Sequence, residues 1–208
     1  MGKGLAPHGS SMKRGGSSSN KAAKRPQVLV LLSGGVDSAA CVAFYRSQQY
    51  DVSALFIEYG QGALMQERRA SRLIAKQGAV PLSTVRIVGL GPFGNGYIPA
   101  RNALLVTAAL SHWQTRTGMI ALGIHAGTSY ADCSQGFVEA CQRVFDVYTD
   151  GRARLACPFL NWTKTQIWEF CREADVPLEL TYSCEKGGNR PCGRCLSCRD
   201  RRALRELH

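Results

Sequence analysis

The chain lacks any long apolar run. No stretch of its 208 residues approaches the ~18 apolar residues of a membrane span, and the N-terminus has no apolar segment of a secretory signal. Acidic residues are scarce, because 15 Asp and Glu stand against 26 Lys and Arg and leave a formal net charge of +11. We therefore expect a cytoplasmic protein with no membrane partner and a strong attraction for anions.

Acids are entirely missing from residues 1–26, which combine six Lys or Arg with a Gly- and Ser-rich run. Such a segment cannot bury a core, so we expect a disordered basic tail or a cloning remnant. Residues 184–208 carry seven basic and three acidic side chains. Two basic ends could contact nucleic acid, but a solvated tail on a phosphate-handling enzyme would give the same charge, and both interpretations stay open.

Two common phosphate-binding signatures are absent after the first apolar run, residues 28–32. No lysine follows the second glycine of SGGVDS at 33–38, and Ser38 stands where a dinucleotide fingerprint needs its third glycine. What remains is a short loop between a strand pattern and a helix pattern, and such a loop presents unpaired N–H groups to an anion. The alternative is a plain strand-to-helix turn with a capping serine.

Apolar runs alternate with helical patterns along the chain. Strands are predicted at 28–32, 52–57, 84–88 and 119–124, and helices after the SGGVDS loop and at 63–77, 101–117 and 137–148. The apolar face of the last helix comprises Phe137, Val138, Cys141, Val144, Phe145 and Tyr148. A capping box of Thr163 and Gln166 predicts one more helix. The alternation indicates an α/β fold with a doubly wound parallel sheet, whose ligands bind beyond the carboxyl ends of the strands.

Nine cysteines in a chain without a secretory signal favour metal binding or thiol chemistry over a disulfide framework. Five are dispersed, and scattered cysteines are usually small buried apolar residues. The other four, Cys184, Cys192, Cys195 and Cys198, have the spacing C-x7-C-x2-C-x2-C. This spacing predicts a closed, structural Cys₄ zinc site, with an iron–sulfur cluster as the competing interpretation. We expect a module over 184–208, attached to a main domain over 27–183.

The SGGVDS motif resembles the pyrophosphate loop of the ATP pyrophosphatase (PP-loop) superfamily, whose adenine nucleotide alpha hydrolase-like members cleave ATP between the α and β phosphates. The resemblance implies an ATP-binding role for Ser33, Gly34, Gly35, Val36 and Ser38. It also implies that Asp37 supplies a hard oxygen ligand to Mg²⁺.

A longer resemblance, collinear from about residue 28 to 202, is to the 7-cyano-7-deazaguanine synthases. The residues that carry it are EYGQ (58–61), IPARN (98–102), GIHA (123–126), YADC (130–133), CPFLNWTKTQI (157–167) and ELTYSCEKGGNRPCGRCLSCR (179–199). The family activity implies an ATP-dependent ligase that adenylates 7-carboxy-7-deazaguanine and forms first the amide and then the nitrile with ammonia. It also implies a possible homodimer.

The same resemblance assigns roles to individual residues. Arg101 and Lys164 are expected near the phosphates, where a solvated charge at a helix end is the plain alternative. Glu58, Tyr59, Gly60 and Gln61 are expected near the adenosine. Tyr130, Asp132 and Cys133 are expected in the deazaguanine pocket, where a surface loop with a buried thiol is the alternative. No protein nucleophile is implied, so catalysis would rest on positioning and electrostatics.

The chain departs from the family pattern on the expected substrate side. Glu58 replaces the usual Asp, His125 the usual Asn, Ser134 the usual Arg, and the segment before the Asp-Cys pair is short. A second hypothesis is therefore an amide ligase that transfers the adenylated acid to a protein amine such as an N-terminus. Some members of the family that the chain resembles occur in phage-defence settings, which fits this hypothesis. A third, of another class, is an RNA-binding zinc module.

Overall fold

The computed structural model describes residue 1 and residues 25–93, 97–113, 117–125, 127 and 130–206. The strands are β1 (Gln27–Leu31), β2 (Asp51–Glu58), β3 (Leu82–Arg86), β4 (Gly118–Ala121) and β5 (Ala153–Ala156). The helices are α1 (Val36–Ser47), α2 (Leu64–Gln77), α3 (Arg101–His112), α4 (Gln135–Thr149), α5 (Lys164–Glu173) and α6 (Leu196–Glu206). Two short 3₁₀ turns are formed by Ala131–Cys133 and Leu178–Leu180.

The five strands form one parallel sheet in the order β3-β2-β1-β4-β5. The order reverses between β1 and β4, which creates the crevice where doubly wound sheets bind ligands. The loop at 33–38 leaves the carboxyl end of β1 at this switch point. The predicted fold class, a doubly wound parallel α/β sheet, is confirmed.

The central strand is buried on both faces, as its continuous apolar sequence predicts. Val28 and Val30 pack with α1, α2 and α5, whereas Leu29 and Leu31 pack with α3 and α4 on the opposite face. Leu204 of α6 joins the first of these cores. The C-terminal segment is therefore packed on the main domain, although its predicted status as a separate module stays a prediction.

Several element boundaries differ from the sequence-based expectation. The third strand is Leu82–Arg86 and not 84–88, because its parallel register with β2 begins at Leu82 opposite Ala54. The third helix ends at His112, since Trp113 turns to an extended conformation and is buried. The fifth strand, ARLA, was not predicted because only Ala153 and Leu155 of its four residues face inward.

The amphipathic helix α4 forms as predicted, but its buried face is narrower. Phe145 is fully buried and Cys141 nearly so, whereas Val144 is 39% and Tyr148 63% exposed. The reason is that α4 lies against the edge strand β5, so the sheet covers only one side of its apolar face. The capping box of Thr163 and Gln166 at the start of α5 is confirmed.

Among the described residues, no helix combines the length and apolar character that would be needed to cross a bilayer. Most of the predicted basic tail, residues 2–24, lies outside the described part of the chain, as does part of the glycine-rich loop after β3.

Candidate active site

The 33–38 loop is shaped by one glycine in particular. Gly34 has φ +87°, and a Cβ there would lie 2.7 Å from the carbonyl oxygen of Glu67 and 2.8 Å from the Cβ of Ala70. Only glycine fits both this conformation and this contact with α2. The carbonyl oxygen of Gly34 accepts a hydrogen bond from the N–H of Tyr182 at 2.9 Å. The loop is thus fixed between α2 and the C-terminal segment.

The N-terminus of α1 opens into the crevice without a side-chain cap. Its N-cap residue is Gly35, which carries no capping group. The two loop hydroxyls bond to each other and to the loop: Ser33 Oγ donates to Ser38 Oγ at 3.2 Å, and Ser38 Oγ donates to the carbonyl oxygen of Gly35 at 2.9 Å. An uncapped N-terminus of a 12-residue helix, with two hydroxyls beside it, is suited to phosphate oxygens.

Polar side chains from three segments meet at this helix N-terminus. Lys164 Nζ, at the start of α5, donates to Asp37 Oδ1 at 2.5 Å, and His125 Nε2 lies 3.9 Å from Asp37 Oδ2. The segment that follows β4 can approach so closely because Gly123 has no side chain: a Cβ there would lie 2.9 Å from the carbonyl carbon and oxygen of Asp37. The structure therefore brings Asp37 and Lys164, 127 residues apart, into one site.

A cavity of about 750 Å³ extends from this loop across the carboxyl edge of the sheet. Thirteen predicted site residues line it: Ser33, Gly35, Val36, Asp37, Ser38, Tyr59, Gln61, Arg101, Tyr130, Asp132, Cys133, Lys164 and Cys184. We call the part at residues 33–38 and Lys164 the loop end, and the part at residues 130–133 the turn end. Gly34, Glu58 and Gly60 are not among the lining residues.

The EYGQ segment is divided between the cavity and the protein interior. Glu58 is 5% exposed and pairs with Arg68 at 2.7 Å and Arg86 at 2.8 Å, so its carboxylate is occupied away from the cavity. Burial would raise the pKa of Glu58, but the hydrogen bond from Arg86 and the charge of Arg68 outweigh it and lower this pKa below the usual value. Gln61 accepts from the N–H of Tyr59 at 2.8 Å and donates to the carbonyl oxygen of Ile57 at 3.0 Å. These two hydrogen bonds fix the backbone conformation at the end of β2.

Glu67 is a cavity residue that the sequence reasoning missed. Its Oε2 accepts from Gln61 Nε2 at 3.1 Å, and burial raises the pKa of Glu67 against the lowering effects of that bond and of Arg101. Burial and the charge of Glu67 raise the pKa of Tyr59 to about 12, opposed by the charge of Arg101 and its hydrogen bond to Tyr59. A signal was present in the sequence, since Glu67 lies on the same helical stripe as the buried Ala70, Ser71 and Ile74.

The turn end is built around the 3₁₀ turn Ala131–Cys133. Tyr130 stacks on Tyr97 with ring centroids 5.1 Å apart and an interplanar angle of 19°. Asp132 is 8% exposed, and its Oδ2 accepts from the N–H of Asn102 at 3.3 Å. Asn102 Nδ2 in turn donates to the carbonyl oxygen of Asp132 at 3.0 Å. Aromatic rings beside a buried carboxylate suit a planar heterocycle that carries N–H donors.

The four clustered cysteines come together as the sequence predicts. The sulfur atoms of Cys184, Cys192, Cys195 and Cys198 all lie within 4.8 Å of one another, so this cluster could hold a metal ion. The backbone N–H groups of Arg194 and Cys195 donate to Cys192 Sγ and lower the pKa of Cys192 to about 6. A stabilised thiolate is the form that binds a metal, and the four-sulfur donor set fits a closed zinc site.

The dispersed cysteines behave as apolar residues. Cys41 and Cys171 are fully buried, and burial raises the pKa of both, that of Cys171 to about 12. Burial also raises the pKa of Cys157 to about 12. These thiols stay protonated at neutral pH, so none of the three is a ready nucleophile.

The C-terminal segment forms one wall of the cavity. Its lining residues include Glu185, Ser197, Asp200 and Arg201. Glu185 Oε1 accepts from the N–H and hydroxyl of Ser197 at 3.4 and 3.0 Å, which caps the start of α6. Arg201 Nη1 donates to the carbonyl oxygen and hydroxyl of Thr181 at 3.1 and 2.8 Å. The cysteine cluster is therefore adjacent to this cavity wall, and one of its members, Cys184, lines the cavity itself.

A parallel sheet with an SGGVDS loop at its switch point, an uncapped helix N-terminus and a lysine beside it defines a nucleotide-using enzyme of the PP-loop class. Comparison with solved structures supports this fold: NMN synthetase from Francisella tularensis superposes with a TM-score of 0.51 at 17% identity, over 89% of this chain and 77% of that one.

Sequence comparison identifies the family. A sequence model described as queuosine biosynthesis protein QueC matches residues 27–96 and 91–207. The 7-cyano-7-deazaguanine synthase of Prochlorococcus marinus (strain NATL1A) is 34% identical, over 86% of this chain and 93% of that protein. The synthase of the same name from Methanoculleus marisnigri is 32% identical, over 87% of this chain and 95% of that protein. The chain belongs to the QueC family, and it is an ATP-utilising ligase of the PP-loop class.

Proposed function

We propose that the chain converts 7-carboxy-7-deazaguanine into 7-cyano-7-deazaguanine with ammonia and two molecules of ATP. In the first round the carboxylate attacks the α-phosphate of ATP, pyrophosphate leaves, and ammonia displaces AMP to give the amide and one proton. In the second round the amide oxygen attacks a second ATP, pyrophosphate leaves again, and the adenylated amide loses one of its two N–H protons. Loss of AMP together with the second N–H proton then yields the nitrile. Both rounds convert a poor leaving oxygen into AMP.

The loop end supports the ATP half of this proposal. Triphosphate charge would meet the N-terminus of α1, the hydroxyls of Ser33 and Ser38, and the ammonium of Lys164. Preorganised charges of this kind stabilise pyrophosphate as it leaves without further rearrangement. Asp37 is a carboxylate on the cavity surface, and it would hold a Mg²⁺ ion, which neutralises phosphate charge when bound.

The turn end supports the choice of acid. The stacked Tyr97 and Tyr130 offer a flat apolar surface, and Arg101, which also lines the cavity, would face the phosphates of the nucleotide that activates the carboxylate. Asp132 adds a hydrogen-bond acceptor for the N–H groups of a deazaguanine. The four clustered cysteines would hold a zinc ion whose role is structural, because four thiolates leave no open coordination position.

The observation that carries the proposal is the contact of Lys164 with Asp37 at the N-terminus of α1. This contact lies in a cavity that is also lined by Tyr130 and Asp132. The test is incubation of the full chain with ATP, MgCl₂, ammonium chloride and 7-carboxy-7-deazaguanine, followed by mass spectrometry of the products. We expect AMP and the nitrile to accumulate in a ratio of two to one, as the two adenylation rounds require.

The same experiment separates the other hypotheses. Release of AMP with amide and no nitrile would limit the chain to the first round, and deazaguanine attached to a protein amine would indicate the amide ligase. AMP formation that requires RNA would favour the RNA-binding module. Failure to exchange labelled pyrophosphate into ATP in the presence of the acid would refute adenylation altogether.

A further inference from the structure

Asn102 is a buried residue that stands between the two ends of the cavity. It is the last residue of the IPARN segment and the second residue of α3, and it is 2% exposed. Its Oδ1 accepts from Arg101 Nε at 3.3 Å. Its Nδ2 donates to the carbonyl oxygen of Asp132 at 3.0 Å and reaches Cys133 Sγ at 3.9 Å. Its backbone N–H donates to Asp132 Oδ2 at 3.3 Å.

These contacts connect two different parts of the site through one rigid group. The oxygen and nitrogen of a side-chain amide lie in a single plane, so fixing the nitrogen also fixes the oxygen. The nitrogen is held by the 130–133 turn, and the oxygen holds the guanidinium of Arg101. Because Asn102 is buried, loss of either bond would leave a buried polar group without its partner, which is destabilising.

Beyond Asn102, the described contacts of the 130–133 turn include the ring stack of Tyr130 on Tyr97. Within the turn, the N–H of Cys133 donates to the carbonyl oxygen of Tyr130 at 3.0 Å, and Ser134 Oγ donates to the carbonyl oxygen of Ala131 at 2.7 Å. A ligand that contacts Tyr130 and Asp132 would act directly on this turn, and Asn102 is a described side-chain link from the turn to α3.

We propose that Asn102 is a positioning residue that links binding at the turn end to the orientation of Arg101, so that each substrate binds more tightly when the other is present. This inference rests on the proposed function, in which the acid occupies the turn end and Arg101 faces the nucleotide. Such coupling would limit ATP binding in productive geometry to molecules that already hold the acid, and it would be reciprocal.

The test is calorimetric titration of the full chain with α,β-methylene-ATP, which cannot be cleaved between these phosphates, with and without saturating 7-carboxy-7-deazaguanine. In the wild type we expect the acid to tighten nucleotide binding about tenfold. Asn102→Asp keeps an acceptor for Arg101 but loses the donor to Asp132, and Asn102→Ala loses both. We expect the effect of the acid to fall to less than about twofold in both variants, with the nucleotide alone bound more weakly by Asn102→Ala.

The matched control is Thr149→Val, which breaks a buried hydrogen-bond pair away from the cavity. Thr149 Oγ1 donates to the carbonyl oxygen of Phe145 at 2.8 Å and accepts from the N–H of Ala153 at 3.3 Å. This variant should lose thermal stability and keep the tenfold effect, so lost stability alone cannot imitate the result.

The outcomes separate this inference from the proposed function. If the wild type makes nitrile but shows no coupling, or if both folded Asn102 variants keep it, the inference is wrong and the proposed function stands. If the wild type binds the nucleotide analogue and does not bind the acid, both are overturned.

Discussion

The loop end and the turn end of the cavity are built in different ways. Apart from Lys164, the loop end is one continuous stretch, residues 33–38. Close neighbours fix its shape: Gly34 lies against α2, and Gly123 lies against Asp37. The turn end is assembled from separate segments, and Tyr97, Asn102 and Asp132 meet through a ring stack and a few hydrogen bonds. In the proposed function, the loop end would hold the constant nucleotide, and the turn end would hold the successive forms of the acid.

The difference also concerns what each substitution should affect. At the loop end a change should remove chemistry and leave the fold intact, because the charged groups are on the cavity surface. In the cavity walls, a substitution should reduce activity indirectly, by altering the shape of the cavity or the stability of the protein. Three substitutions, in order of decreasing expected effect on activity, test whether the loop end and the walls differ in this way.

Asp37→Asn should cause the largest loss of activity. It removes the carboxylate that contacts Lys164 and that would hold Mg²⁺ beside the phosphates. We expect kcat/KM to fall by about a thousandfold in a pyrophosphate-release assay, in the range seen when one preorganised charge contact is lost.

The control for this variant is Asp150→Asn. Asp150 pairs with Arg152 at 3.4 Å on the surface, and Asn tolerates its left-handed φ of 50°. Its activity should equal that of the wild type. Full activity of Asp37→Asn would remove the basis for a metal ligand at this position.

Removal of the cysteine cluster should have an intermediate effect. Cys192→Ser alters one of the two half-exposed members of the cluster, and a metal held by the four cysteines should be released because one ligand of a four-ligand site is lost. The wall formed by Glu185, Ser197 and Arg201 would then loosen, and we expect kcat/KM to fall about tenfold.

Zinc content by mass spectrometry and amide hydrogen exchange would check this prediction. Exchange should rise across residues 184–206 while β1 stays protected. Cys141→Ala, outside the cluster, should keep one metal ion per chain. A metal-free Cys192→Ser enzyme with wild-type exchange and activity would show that the cluster does not support the wall.

The fold and the loop end could be predicted because their signals are local. Five consecutive apolar residues, two glycines and a helix stripe lie in one stretch of about 17 residues, and the family resemblance, since confirmed, rests on motifs of this kind. The short edge strands β3 and β5 were harder to predict from the sequence. ARLA has two inward residues, and β3 is half exposed, so parallel pairing and not periodicity decides where each begins.

The turn end could not be derived from local pattern. The contact between Asn102 and Asp132 spans 30 residues, and no periodicity marks either residue. The roles of Tyr130, Asp132 and Cys133 came only from resemblance and stay predictions. Glu58 illustrates the opposite difficulty: the motif suggests a nucleotide contact, but whether an acid faces a cavity or two arginines depends on tertiary packing.

Glu58→Gln should have the smallest effect on activity and a distinct effect on stability. The carboxylate pairs with Arg68 and Arg86 outside the cavity lining, so we expect kcat and the KM for ATP to change less than about twofold and the free energy of unfolding to fall by about 1–2 kcal/mol at pH 7. The pKa of Glu58 is lowered in the folded state, so its stabilising contribution is complete above the ordinary value of 4.5 and is lost as pH falls through the folded pKa.

Denaturant unfolding at several pH values checks this expectation. The difference between wild type and Glu58→Gln should be constant from pH 8 to 6 and should shrink at pH values below about 4.5, whereas Glu169→Gln, exposed on α5, should show no difference at any pH. A stability difference that persisted at low pH would mean that packing and not the ion pairs is lost. A large increase in the KM for ATP would instead show that Glu58 contacts the nucleotide, and the loop end would then extend to the end of β2.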